Sequence, residues 1–319
     1  MYSRPLLGCL AVLCLDILVV AQAPPSPNPA ESHLLAPVAT IARRVDEVNV
    51  AFTVTDHKGR FISNLREDDF RLFDNHLAPK QLTYFRQRSD LPLHLAVLID
   101  ASSSVRACLK FEQNAAFAFL KKVVRPGTDK AFVVAFNDRA NVIAEVTDNR
   151  NQISKAVKKV KAEGNTSLYD AITFASGKLR QMPEHGITRR AIVLITDGVD
   201  TASHGTLHDA HEAASLADVS IFSLSTNMED LHSKSPGDTV LQELATTTGG
   251  RFLPARDESQ VYSGLNSVEK ALHNQYVVAY RPTAFEADGS YRTLELVPVK
   301  NGLRANCRKG YYAKRRSIP

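Results

Sequence analysis

The residues most able to do chemistry in this 319-residue chain sit at the ends of apolar runs. In "LAVLIDASSSV" (95–105) a hydrophobic run ends in Asp100, and Ser102 and Ser104 follow in a D-x-S-x-S pattern. "AIVLITD" ends the same way at Asp197, and "EGNTSLYDA" places Thr166 just ahead of a helical pattern. Together these are two carboxylates and three hydroxyls, with neither sulfur nor imidazole. Such a set suits a hard divalent cation: Mg2+ takes about six oxygens at roughly 2.0–2.1 Å and gives up its waters reluctantly. Two aspartates would offset a charge that a low-dielectric crevice cannot hold unpaired. Hydroxyls add no charge, so a metal held by them stays electrophilic and seeks one more oxygen from outside, ideally a partner's carboxylate.

Each piece also has a plainer use. Asp and Ser are favoured helix N-caps, "TDG" is a common turn, and Thr166 could cap a helix of its own. Taken singly, the plain reading has the edge. The functional one gains from position, because the elements that carry these residues must bring them to one place.

From residue 93 onward, strand patterns alternate with helical ones. "LHLAVLID", "KAFVVAFN", "NVIAEVT", "RRAIVLITDG" and "SIFSLST" read as strands. "CLKFEQNAAFAFLKKVV", "NRNQISKAVKKVK", "SLYDAITFASGKLRQM", "TLHDAHEAASLADV" and "DTVLQELATTTGG" read as helices. "RFLPA" is a last short strand, and a helix from about 258 to 274 closes the region. This alternation predicts a mostly parallel sheet covered on both faces, with the predominantly apolar strands 93–99 and 191–195 at its centre. In such sheets ligands bind beyond the carboxyl ends of the strands, where the strand order reverses. If those two strands are neighbours, Asp100 and Asp197 meet in one crevice.

The flanks follow a different pattern. Residues 48–54 alternate with period two, "DHKG" makes a turn, "RFISNL" returns, and "DDFRLFDN" and "KQLTYFRQ" add extended segments. Extended segments recur after 275 in "QYVVAY", "YRTLELVPV" and "LRANCRKGYYA". Neither flank is self-sufficient, so the two are expected to pair. The expected fold class is α/β: a Rossmann-like, doubly wound, mostly parallel sheet inserted in a small β-sandwich. The expected organisation is a β-rich flank at 41–90 joined to 276–313, with the inserted domain at 91–275.

Other chemistries find less support. A phosphatase-type aspartate nucleophile needs a second acid two positions on, where this chain has Ser102. A serine nucleophile needs a positioned base, and no G-x-S-x-G elbow is present. His204, His208 and His211 crowd one helix start, but H-E-x-x-H is absent and a polar helix face is the better reading. "NTS" at 165–167 matches a glycosylation sequon by chance. Asp170 reads as a helix residue able to support the site indirectly and Asp200 as a loop residue; neither is assigned as a ligand. A metal-assisted hydrolase and a scaffold with an unused metal site remain the alternatives to binding, and no catalytic residue is assigned.

The combination of D-x-S-x-S at 100–104, "GNTSLYDA" at 164–171 and "ITDGVD" at 195–200 resembles the metal-ion-dependent adhesion site of von Willebrand factor type A domains. The resemblance covers roughly 91–275. It implies Ser102, Ser104 and Thr166 as direct ligands of Mg2+ or Mn2+, with Asp100 and Asp197 acting directly or through water. It also implies an adhesion or protein-binding module that takes up an acidic group of a partner. The flanks "VNVAFTVTDHKGRFISNLREDDFRLFDN" and "YRTLELVPVKNGLRANCRKGYYA" are similar to an exported bacterial family related to that domain and frequent in acidobacteria. That likeness brings a fold and a metal site but no partner.

At the N-terminus, "MYSR", the apolar "LLGCLAVLCLDILVV" and "AQA" read as a secretory signal peptide, 1–23, cleaved after Ala23. A Pro-rich linker, 24–40, follows, and the apolar run is shorter than the roughly 20 residues of a spanning helix. The chain is therefore expected to be exported, periplasmic or secreted, with no span after cleavage. Net charge is +5 and the tail 314–319 is basic, but no motif supports a nucleic-acid partner. Export permits disulfides. Alternation in "LRANCRK" nevertheless places Cys307 on an apolar face, and Cys108 and Cys307 are expected as free thiols.

Overall fold

The computed structural model describes residues 47–87, 91–184, 186–227 and 235–313. The expected signal peptide, the Pro-rich linker and the basic tail 314–319 lie outside them. Three strands come first: β1 (Val48–Thr55), β2 (Phe70–Asp74) and β3 (Gln81–Gln87). The α/β portion runs β4 (Leu93–Asp100), α1 (Leu109–Val123), β5 (Lys130–Phe136), β6 (Ala140–Thr147), α2 (Arg150–Val157), α3 (Leu168–Gln181) and β7 (Arg189–Thr196). It continues with α4 (Leu207–Leu216), β8 (Val219–Ser225), α5 (Pro236–Thr248), β9 (Phe252–Pro254) and α6 (Glu258–His273). The chain then returns to strands: β10 (Tyr276–Arg281), β11 (Tyr291–Pro298), β12 (Arg304–Cys307) and β13 (Gly310–Tyr312).

The six-stranded sheet has the order β6-β5-β4-β7-β8-β9, with only β6 antiparallel. β4 and β7 are its two central strands, as their unbroken apolar runs predict. Alternate residues of β4 feed opposite cores: Leu93, Leu95, Val97 and Ile99 pack with α1, α2 and α6, while Ala96 and Leu98 pack with α3, α4 and α5. A strand buried on both faces has no polar side to show, which is why it reads as a continuous run. From β4 the chain crosses to β5 on one side, and β7 lies on the other, so the strand order reverses between β4 and β7.

The flanks build two antiparallel sheets, β12-β1-β10-β3 and β13-β11-β2, and each contains strands from both ends of the chain. Phe52, Phe70, Phe85 and Tyr276 form the aromatic centre: Phe52 stacks on Tyr276 with centroids 5.3 Å apart and meets Phe70 edge to face at 5.2 Å. The fold is the expected one, an α/β layer inserted in a small sandwich. One expected segment differs. "RFISNL" makes only a single bridge, Thr55 to Phe61, instead of a strand. Asp56 Oδ1 holds the Lys58 and Arg60 amides in a tight turn, and Asn64 sits at φ 66, a left-handed geometry that ends extension.

All described residues fall in one compact unit, Val45–Pro319. The end of α5 is tied to the last strands, because Asn306 Nδ2 donates to the carbonyls of Gly249 and Gly250 and the Lys309 amide to that of Thr247. Cys108 and Cys307 are both free and buried. Among the described residues, no helix is long and apolar enough to cross a membrane.

Candidate functional site

Parallel pairing sets the site. Ile99 of β4 lies opposite Ile195 of β7, so Asp100 and Asp197 leave the sheet at the same edge, one residue out of step. Three loops then meet there and are stitched to each other in pairs. The 101–108 loop binds the 163–167 loop through Ser103 N to Gly164 O (3.0 Å) and Glu163 N to Ala101 O (2.8 Å). The 163–167 loop binds the one after β7: the Thr201 and Ala202 amides both donate to Thr166 O at 2.9 Å, and Thr166 N donates to Thr201 Oγ1 at 2.9 Å. The Thr196 hydroxyl closes the ring with a 2.6 Å bond to Asp100 Oδ2.

Two glycines shape these loops. Gly164 has φ +80, and a Cβ there would lie 2.4 Å from the Asp138 carboxylate, whose Oδ1 holds the Asn165 amide at 3.0 Å. Gly198 has φ +85, and a Cβ there would lie 2.6 Å from the carbonyl of Gly237. Both positions combine a left-handed backbone with a close approach that only glycine fits.

All five sequence-predicted residues lie in this three-loop cluster. Asp100, Ser102 and Thr166 are buried, Asp197 is half-buried and Ser104 is exposed, so the cluster grades from interior to surface. Ser102 Oγ and Ser104 Oγ stand 2.9 Å apart. The D-x-S-x-S spacing therefore turns both hydroxyls toward one point, with the intervening Ser103 exposed. Asp100 Oδ1 accepts the Ser102 amide at 2.8 Å, and Asp197 Oδ1 accepts the Val199 amide at 3.1 Å. Among the described residues, no hydrogen bond engages Asp197 Oδ2 or the Thr166 hydroxyl.

The electrostatics are unbalanced. Burial pushes the Asp100 carboxyl up to about 6 despite donors from Thr196 and Ser102, and the Asp197 carboxylate adds to the rise. Glu112 of α1 is a residue that sequence reasoning missed. It is fully buried and no well-formed hydrogen bond reaches its oxygens; the neighbouring Thr226 hydroxyl offsets only part of the cost of burial. Burial, with Asp100 and Asp197 contributing, pushes its carboxyl up to about 8. A signal was present: Cys108, Glu112, Ala116 and Leu120 recur every four residues, so the glutamate lies on the buried stripe of its helix.

The oxygens present fit a hard cation: the Ser102 and Ser104 hydroxyls converge, and Asp100 lies buried with too few donors beside a second, half-buried carboxylate, Asp197. No group of three or more His, Cys, Asp or Glu side chains suited to a metal occurs among the described residues. A cation here would therefore depend on the hydroxyls. Asp170 and Asp200 act on the loop instead. Asp170 accepts the His204 and Gly205 amides at 2.9 Å, and Asp200 Oδ1 accepts the Ser203 hydroxyl at 2.6 Å. His204 is exposed, in keeping with a polar face, whereas His211 is turned inward and half-buried.

Comparison with known proteins agrees with this geometry. Residues 95–199, from β4 to the loop after β7, match the family model of the von Willebrand factor type A domain. Among solved structures, proximal thread matrix protein 1 from the mussel byssus, with a zinc-occupied MIDAS motif, is similar at 18% identity and TM-score 0.50, over 62% of this chain and 50% of that one. A von Willebrand factor type A protein from Catenulispora acidiphila matches at 14% identity and TM-score 0.49, over 79% of this chain and 74% of that one. The PilB minor pilin from Streptococcus sanguinis matches at 12% identity and TM-score 0.47 over 58% of this chain, and the match spans 62% of the pilin's length. No curated protein matches the chain. At these identities the likeness concerns the fold.

Proposed function

We propose that the three-loop site binds a divalent cation, Mg2+ or Mn2+, and through it an acidic group of a partner macromolecule. The observation that carries this reading is the state of Asp100: fully buried, short of donors and beside a second carboxylate. Ser102, Ser104 and Thr166 would present neutral oxygens, and Asp100 and Asp197 would balance the charge directly or through water. A bound cation would supply an electrophilic position open to a partner's carboxylate. Val199, 44% exposed and two residues beyond Asp197, offers that partner an apolar contact at the rim. The byssus protein's zinc-occupied motif makes Zn2+ a competitor to test.

Binding is favoured over catalysis by the surroundings of Ser102. Its Oγ stands 2.9 Å from Ser104 Oγ, and the carboxylate beside it, Asp100, is already committed to the Ser102 amide and the Thr196 hydroxyl instead of standing free to take a proton from a nucleophile. Export is part of the same proposal, carried by the apolar N-terminal segment and its small-residue cleavage motif. The test is calorimetric titration with Mn2+, Mg2+ and Zn2+, followed by capture of envelope proteins with metal and then with EDTA. One saturable metal site, weakened at least about tenfold in Thr166→Ala, is expected. Equal affinity in the variant would move the metal elsewhere, and turnover of phosphoesters or acyl esters lost in Ser102→Ala would replace binding with hydrolysis.

A further inference from the structure

A second candidate surface lies where α1 packs on α2 and the turn after it. Hydrogen bonds stitch the two segments antiparallel. Arg106 Nη2 donates to the Ala162 carbonyl at 3.3 Å and Gln113 Nε2 to that of Val160 at 2.7 Å. Farther along, Ser154 Oγ donates to the Phe117 carbonyl at 3.4 Å and Arg150 Nη1 to that of Lys121 at 2.9 Å. The seam runs for about 22 Å, the length of the 15 residues of α1. Exposed cations stand along both sides: Lys110 and Lys121 on α1, and Lys155, Lys158, Lys159 and Lys161 on the other segment.

The seam lacks the anions that would pair them. Among the described residues no ion pair engages these six lysines, whereas Lys122 is bridged to Glu269 of α6. The one carboxylate in 106–123 and 150–162 is Glu112, which is fully buried. Lys121 Nζ and Lys158 Nζ, one from each side, share the Phe117 ring at 4.8 and 4.3 Å from its centroid. Their charges repel, and an anion beside both would turn that cost into attraction. Two rows of cations fit a charged chain laid lengthwise. No exposed large apolar side chain lies on either segment, so nothing would enter a bilayer. Phe117 is occupied by ammonium groups and offers no platform for a stacked base. All six cations are lysines, hydrated point charges without the guanidinium fork that grips phosphate in two places.

We propose that this seam binds a linear acidic polysaccharide, laid lengthwise with one anionic group beside Lys121 and Lys158. Further anions meet Lys110 and Lys161 toward the Ala162 end, where the exposed Glu163 bounds the run. The surface is independent of the metal reading, and its test is run in EDTA so that no cation bridges the polymer to the three-loop site.

The probe is polygalacturonate, titrated calorimetrically into the purified protein. Dextran is a polysaccharide without charge, oligothymidylate a chain of phosphodiesters, and phosphatidylglycerol vesicles present anions on a bilayer. Saturable polygalacturonate binding in about the micromolar range is expected at about 50 mM salt, weakened at least about tenfold at about 200 mM. Dextran should not bind, and oligothymidylate and vesicles should bind at least about fivefold more weakly. Lys121→Gln with Lys158→Gln is expected to lose about five- to tenfold and to lower the salt slope by about 2. Lys58→Gln with Lys80→Gln removes the same charge from exposed positions on the sandwich and should change affinity less than about twofold. No saturable binding of polygalacturonate, equal or tighter binding of oligothymidylate or vesicles, or equal losses in the two double variants would overturn the proposal and leave the lysines as a solvated surface.

Discussion

Two aspartates in this molecule are equally buried and treated in opposite ways. Asp74 in the sandwich is 1% exposed and saturated with donors: Arg292 Nε on Oδ1, and the hydroxyls of Tyr280 and Tyr311 on Oδ2, each at 2.8 Å. Its partners come from β10, β11 and β13, so one N-terminal carboxylate fastens three C-terminal strands. Asp100, at the edge of the large sheet, is 0% exposed but has one hydroxyl and one amide, with a second carboxylate nearby. Burial is common to both; the supply of positive charge is not. Where the fold brings its own cation, the carboxylate is structural. Where none is brought, the carboxylate stays short of donors.

The largest expected effect comes from breaking the saturated side. Asp74→Ala strands a buried guanidinium and two phenol hydroxyls, and removal of one partner from a buried ion pair costs about 3–5 kcal/mol. Urea denaturation should show that loss as a lower midpoint, and a loss under about 1 kcal/mol would place Asp74 with ordinary surface pairs.

The next effect belongs to the unsaturated side and depends on pH. Folded Glu112 keeps its proton from its ordinary value of 4.5 up to about 8, whereas the unfolded chain sheds it near 4.5. The unfolded state therefore holds fewer protons in that window, and metal-free stability falls as pH rises through it. Two pH units of such a difference correspond to about 3 kcal/mol. Glu112→Gln should flatten the decline between about pH 5 and 7, and an unchanged slope would assign the titration to another group.

The smallest stability change is expected from Ser104→Ala. Its side chain is exposed, so unfolding should move by less than about 0.5 kcal/mol, while Mn2+ affinity measured by calorimetry drops about tenfold. A variant that binds Mn2+ like the parent would remove Ser104 from the ligand set.

How much of this was legible in the sequence follows from how local each signal is. β4 and β7 announce themselves because burial on both faces leaves 95–99 and 191–195 without a polar residue, and Asp100 and Asp197 mark their ends. D-x-S-x-S works at two-residue range, so the paired hydroxyls could be placed without a structure. Asp74 reads locally only as part of the extended segment "DDFRLFDN", because its donors are 206 to 237 positions away. Glu112 was visible only to a reading that asked which face of its helix it occupied. His211 was assigned to a polar face because the strands that cover it arrive about 80 residues later. "RFISNL" carries extended-chain residues, but the Asp56 turn and the left-handed Asn64 override them.

The contrast between the two aspartates is tested most directly by unfolding the parent protein and Asp100→Asn with and without Mg2+ near pH 7.5. The shift of Asp100 from 3.8 to about 6 corresponds to about 3 kcal/mol of strain in the metal-free fold. Asparagine should therefore raise metal-free stability, while Mg2+ at about a hundred times its Kd should add about 2.7 kcal/mol to the parent alone. A less stable metal-free variant, or an equal Mg2+ gain in both proteins, would contradict the claim that Asp100 is left uncompensated for a cation.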